Sequence, residues 1–86
     1  MGITHSTNST NDEIADIGIR LRQARRAAGI TQADLGLQAG TNQAVIQKIE
    51  NGLSHRPRCI LEVAEVLNVN PAWLQFGDRW AKKDRE

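Results

Sequence analysis

Apolar residues recur along this chain at helical spacing. Ile14, Ile17, Leu21, Ala24 and Ala28 follow one another at intervals of three and four, which sets them on one stripe of a helix. Arg20, Gln23 and Arg26 fall away from that stripe. Asn11 or Asp12 is the expected cap, with acids in the first turn, and Gly29 the expected left-handed stop. A second helix opens at Thr31, with Asp34 in the capping-box position, and runs through Leu35 to about Ala39, where Gly40 stops it. It has only about two turns and needs its neighbours to hold it. A third runs through Ile46 and Ile49 to Gly52, and a fourth follows Pro57, with Ile60, Ala64 and Leu67 inward and Glu62 and Glu65 outward. Asn70-Pro71 reads as a cap followed by proline in the first helical position. The fifth helix it opens carries Ala72, Trp73, Leu74 and Phe76 and ends at Gly77.

No segment alternates with the period of a strand, and there is no internal repeat. The expected fold is all-α, a compact bundle of about five short helices. It occupies residues 12–78, between a disordered polar tail at 1–11 and a charged tail at 79–86. Residues 1–11 are too polar to order themselves. The myristoylation-like Met1-Gly2-Ile3-Thr4-His5-Ser6 and the sequon Asn8-Ser9-Thr10 fall there, but both patterns are short and common in such tails.

Eighty-six residues make one small domain. Phe76, Trp73 and Trp80 are its only aromatics, so the core is aliphatic, which suits packed helices. No apolar run approaches the roughly 20 residues that span a bilayer, so no membrane association is expected. Cys59 stands alone and His5 and His55 are the only histidines, too few for an intrachain disulfide or a zinc site. With no secretory leader evident, these features lead to the expectation of a cytoplasmic protein without cofactor. An enzyme is disfavoured: there is little room for a cleft. His5 sits in the tail and His55 in a basic loop, with no paired carboxylate or nucleophile arranged beside either.

The net charge of +1 conceals a pattern. Between residues 20 and 58 lie Arg20, Arg22, Arg25, Arg26, Lys48, Arg56 and Arg58 against only Asp34 and Glu50. Such a local excess is an electrostatic footprint for a polyanion, although a charge run is more often a solvated face.

The segment Gln32–Asn51 fits a helix-turn-helix plan. Gly36 supplies the small residue where the second helix of the motif crosses the first, and Gly40 the turn residue tolerant of positive φ. Leu35, Ala39, Ile46 and Ile49 supply the core-facing positions. With Gln43 at zero and 100° per residue, Ile46 and Ile49 project near roughly 300° and 240°. Gln43, Ala44, Gln47, Lys48 and Asn51 project between roughly 0° and 140°, an amide-rich face with one lysine and no acid. Gln and Asn can pair bidentately with adenine in the major groove, and the small Ala44 permits close approach, its methyl suited to a thymine methyl. Val45 lies on the flank, where the projection leaves open whether it packs inward or touches a ligand.

These features resemble the lambdoid phage repressor and Cro family of helix-turn-helix transcriptional regulators. The likeness runs from about Ile17 to Gly77, and Ile30–Leu35, Gly40–Gln43, Ile49–Gly52, Arg56-Pro57-Arg58 and Asn70–Leu74 carry it. The resemblance implies a sequence-specific repressor that binds double-stranded DNA at a palindromic operator as a homodimer, with a recognition helix at about 42–51. It places Gln43, Ala44, Gln47 and Lys48 on base edges, Gln32, Thr41, Asn42, Asn51 and Arg56 on the phosphate backbone, and Arg58 at the minor groove. Relatives carry glutamine where this chain has Ala44 and Lys48, so base preference does not transfer, and Lys48 suggests a guanine contact. Arg25 is expected to pair with Glu50, while Arg20, Arg22 and Arg26 are expected to be solvated or to face phosphates. Pro57, Cys59, Pro71 and Leu74 are placed at the dimer surface, with Cys59 smaller than the apolar residue common there. An anti-repressor or other regulatory protein is a possible further partner. Large phage repressors add a second domain, so the chain fits either a Cro-like small repressor or a DNA-binding fragment. An antitoxin or restriction controller of the same fold, and a helix-turn-helix used only for protein contact, are the alternatives.

Overall fold

The computed structural model describes residues 16–78, which form five helices. These are α1 (Ile17–Ala28), α2 (Gln32–Gln38), α3 (Gln43–Glu50), α4 (Ile60–Leu67) and α5 (Pro71–Phe76). The two tails, Ile14 and the expected cap at Asn11 or Asp12 lie outside the described residues.

Local side-chain chemistry sets most boundaries. Asp16 is extended and accepts from the Gly18 N–H at 3.0 Å, and it caps α1, which begins at Ile17. Thr31 caps α2 by accepting from the Asp34 N–H, and Asn42 caps α3 by accepting from the Val45 N–H, both at 3.0 Å. Asn70 accepts from the N–H groups of Ala72 and Trp73, with Pro71 in the first position of α5. Each bond satisfies a donor that the first helical turn leaves without an intrahelical partner.

The core is aliphatic and draws on all five helices: Ile17, Leu21, Leu35, Ala39, Ile46, Ile49, Val63, Ala64, Leu67 and Leu74. A fully buried Leu or Ile contributes about 2 kcal/mol of transfer free energy. In α4, Ile60 packs half-buried against the core beside Ala64 and Leu67, as expected, and Val63 joins them. Two expectations are corrected. Ala28 is exposed and takes no part in the core. Leu74 is 0% exposed within its own chain, so it is a core residue and not a contact for a second subunit.

Arg20 also departs from its expected solvated role. Its Nε donates to the Leu74 carbonyl at 2.9 Å and its Nη2 to the Gln75 carbonyl at 3.0 Å. The cation thus satisfies carbonyls in the last turn of α5, where the helix dipole favours positive charge, and it ties α5 to α1.

Two glycines set the position of α3. A Cβ on Gly36 of α2 would lie 2.6 Å from the carbonyl oxygen and 2.9 Å from the Cα of Asn42. A Cβ on Gly18 of α1 would lie 2.5 Å from the Ile49 carbonyl oxygen. The two ends of α3 therefore each lie against a helix that carries glycine at the crossing. Gly40, at φ 79°, makes the left-handed turn between α2 and α3.

Candidate nucleic-acid interface

The α3 helix turns Ile46 and Ile49 into the core and leaves Gln43, Ala44, Gln47 and Lys48 exposed on its other side. Asn51, its C-cap, is exposed beside them. Val45 is half-buried and packs against the core, so it faces inward from the flank. The helix carries one acid, Glu50, whose side chain is 0% exposed. The outer face therefore presents amides, a methyl and one ammonium, with no carboxylate to repel a polyanion.

Four donor groups hold Glu50. Arg25 Nε donates to Oε2 at 2.7 Å and Arg25 Nη2 to Oε1 at 3.1 Å, a two-pronged ion pair. Gln32 Nε2 donates to Oε1 at 3.0 Å, and Arg22 Nε approaches the same oxygen at 3.4 Å. Arg25 Nη1 also donates to the Ile30 carbonyl at 3.0 Å, so one guanidinium spans α1, the α1–α2 loop and α3. Burial alone would raise the Glu50 carboxyl; the hydrogen bonds from Arg25, Gln32 and Arg22 outweigh it and hold the group below its ordinary value. The same hydrogen bond to Glu50 leads the effects that raise the Arg25 pKa.

The expected Arg25–Glu50 pair is present, but Gln32 and Arg22 join it. One N–H of the Gln32 side-chain amide donates to Glu50, and the half-buried amide keeps its second N–H. Arg22 belongs to the same cluster, and with 41% of its side chain exposed it also borders solvent. No signal local to α1 or α2 in the sequence reveals these partners. Asn42 is exposed but gives its side-chain oxygen to the α3 cap. Thr41 is half-buried and its N–H donates to the Gly36 carbonyl at 2.8 Å.

The segment after α3 brings Arg56 and Arg58 to the surface with Pro57 buried between them. Pro57 is buried within its own chain save for the edge that lines a groove beside α3, so it offers a second subunit little exposed surface. Cys59 is half-buried, and burial pushes its thiol pKa up. Pro71 is exposed, as is Leu61 on α4, a large apolar residue absent from the sequence-based candidates. Among the described residues, no cluster of His, Cys, Asp and Glu could hold a metal ion, and no helix is long and apolar enough to cross a membrane.

A two-helix motif with a glycine crossing and an exposed, acid-free second helix defines a helix-turn-helix protein. Residues 16–75 match the family model of a helix-turn-helix domain, and the chain belongs to that family. It is 41% identical over 59 residues to the transcriptional regulators of conjugative elements SXT of Vibrio cholerae and pMERPH of Shewanella putrefaciens. The match covers 69% of this chain and 27% of each of theirs, so the chain spans about a quarter of the length of these curated relatives. A crystal structure of the P22 c2 repressor with a synthetic operator is similar at a TM-score of 0.68 and 28% identity, over 72% of this chain and 96% of that one. The solution structure of the DNA-binding domain of the same repressor gives a TM-score of 0.65. The fold is that of the lambda-repressor-like DNA-binding domains.

Proposed function

We propose that this chain is the DNA-binding module of a transcriptional repressor that occupies a palindromic operator as a homodimer. One observation carries the reading. The α3 helix has its only acid buried and neutralised at one end, its other end fixed against Gly36, and a small, amide-rich face left open. The transcriptional regulators it resembles and the operator-bound P22 c2 repressor support it.

In this reading α3 lies in the major groove. Gln43 and Gln47 read adenines, Lys48 a guanine, and Ala44 allows close approach. Gln32, through its free backbone N–H, and the side chains of Thr41, Asn42, Asn51 and Arg56 contact phosphates, and Arg58 approaches a narrow minor groove. One recognition helix reads too few base pairs to define a site, so a symmetric pair is required. The exposed Leu61 and Pro71, with half-buried Cys59, supply the apolar surface for that pair.

Selection of preferred sites from a random duplex pool at near-physiological salt tests the proposal. A palindromic motif with half-sites about one helical turn apart is the expected result. Salt-sensitive background without enrichment would instead fit a helix-turn-helix that contacts protein. On the selected site, Gln43→Ala is expected to cost about 1–3 kcal/mol and to relax preference at one base of each half-site. An equal loss on every sequence would remove Gln43 from base reading. Arg58→Ala is expected to reduce the slope of log affinity against log salt by about one per subunit. An unchanged slope would place Arg58 away from the DNA.

A further inference from the structure

A groove of about 320 Å³ opens between α3 and the segment that follows it. Val45, Pro57 and Cys59 line it as apolar groups, and Lys48 and Arg58 also line it. Thr41 and Ser54 add hydroxyl groups, and no carboxylate is among the lining residues. This volume is at the lower end of small-molecule sites, which combine apolar walls with a few polar anchors. Charge complementarity selects the occupant. Two cations in the lining outnumber the one carboxylate nearby, Glu62 beside Cys59, and with the apolar wall they suit a molecule with a flat or chain-like apolar body and one anionic group. A neutral body leaves the cations unanswered, and inorganic phosphate leaves the apolar wall wet.

We propose that this groove binds a small amphipathic anion, an aromatic or aliphatic carboxylate or sulfonate, and that its occupancy excludes DNA. The body lies against Val45, Pro57 and Cys59, and the anionic group lies between Lys48 and Arg58. The burial that pushes up the Cys59 thiol keeps that wall uncharged near neutral pH. The exclusion of DNA rests on the function proposed above, which assigns Lys48 to a base edge and Arg58 to the minor groove. A ligand bridging these two cations removes both from the DNA and places a negative charge on the DNA-facing side. The anion would act as an inducer that releases the operator.

The test uses 1-anilinonaphthalene-8-sulfonate as probe on the full chain, followed by amide chemical shifts. Saturable binding with shifts concentrated at Thr41, Val45, Lys48, Ser54, Arg58 and Cys59 is expected. Shifts centred elsewhere, or no binding, overturn the site. Arg58→Gln, a surface change that leaves the fold intact, is expected to weaken the probe by up to about fivefold. The uncharged N-phenyl-1-naphthylamine is expected to bind more weakly than the sulfonate. Equal affinity for both probes overturns the role of the cations. Ser54→Trp, in the segment after α3 and outside the core, fills the groove and is expected to abolish binding while its thermal melt remains cooperative. Duplex carrying the selected site is then expected to displace the probe. Simultaneous binding of both overturns the exclusion. A chain that takes the probe in the groove but binds no duplex even without it overturns the DNA reading and the exclusion together, and supports the anion site itself.

Discussion

Replacing Glu50 by alanine is expected to lower the stability of the domain by about 3 kcal/mol or more, the range for breaking a buried ion pair. The variant leaves the Arg25 guanidinium, whose side chain is 13% exposed, without its carboxylate. It also deprives the Gln32 amide of its acceptor. The Arg22 contact is longer and half solvated, so it adds little. In a domain of this size the loss corresponds to a fall in melting temperature of about 12 °C or more. A drop of only a few degrees would show that the cluster is not a buried lock. The sign of the pH dependence follows from the lowered carboxyl pKa. The group adds stability that is fully present above its unfolded value of about 4.3 and is lost as the pH falls through the lower folded value. Glu50→Gln removes that titration, so its stability is expected to fall less than the wild type between about pH 6 and pH 3. Parallel pH profiles for the two proteins would mean that other carboxylates carry the acid sensitivity.

The contrast between Glu50 and the helix caps shows which parts of the molecule are legible in the sequence. Thr31 and Asn70 act on N–H groups two or three residues away, so pattern and spacing suffice to find them; Asn42 caps α3 in the same way, where the sequence reading names no cap. The α3 face is legible for the same reason: one helical period separates Ile46 and Ile49 from Gln43, Gln47 and Lys48. Asp16 was obscured by equally good caps at Asn11 and Asp12, because the apolar spacing continues back to Ile14. The partners of Glu50 lie 18 to 28 residues away; resemblance names Arg25, whereas Gln32 and Arg22 emerge only where three helices cross. Arg20 meets the end of α5 across 54 residues, and spacing on α1 says nothing of that encounter. Resemblance places Pro57 and Leu74 at a dimer surface. Their burial instead depends on how the segment after α3 and the α5 helix dock onto this chain's own core. Val45 was undecidable because its neighbours come from the segment beyond α3. Gly18 gave no signal at all: inside a helix a glycine reads as a weakness, until the Ile49 carbonyl is seen beside it.

Gly36→Ala is the sharper test of how the reading helix is held, because two effects of opposite sign meet there. In an exposed helix interior, alanine is favoured over glycine by about 1 kcal/mol. If Gly36 were merely a helical residue, the variant would therefore be more stable than the wild type. The structure requires the opposite. The added methyl meets backbone atoms of Asn42, with its oxygen at 2.6 Å and its Cα at 2.9 Å. Backbone cannot rotate away as a side chain can, so Asn42 has to move and take the start of α3 with it. Overpacking of this kind costs about 1–3 kcal/mol, which outweighs the propensity gain. A net loss of about 1 kcal/mol by urea unfolding, the middle of that cost less the propensity gain, is the expected outcome. The effect on DNA is expected to exceed the loss of folded fraction. Asn42 is the cap of α3, and its displacement shifts Gln43 and Ala44 relative to the base edges. Binding at a temperature where the variant is fully folded should fall by about tenfold or more, since contacts made only at the correct geometry are worth about 1–3 kcal/mol each. A variant that is more stable and binds normally would show that α2 and α3 have room to part. The rigid crossing would then not be what positions the helix.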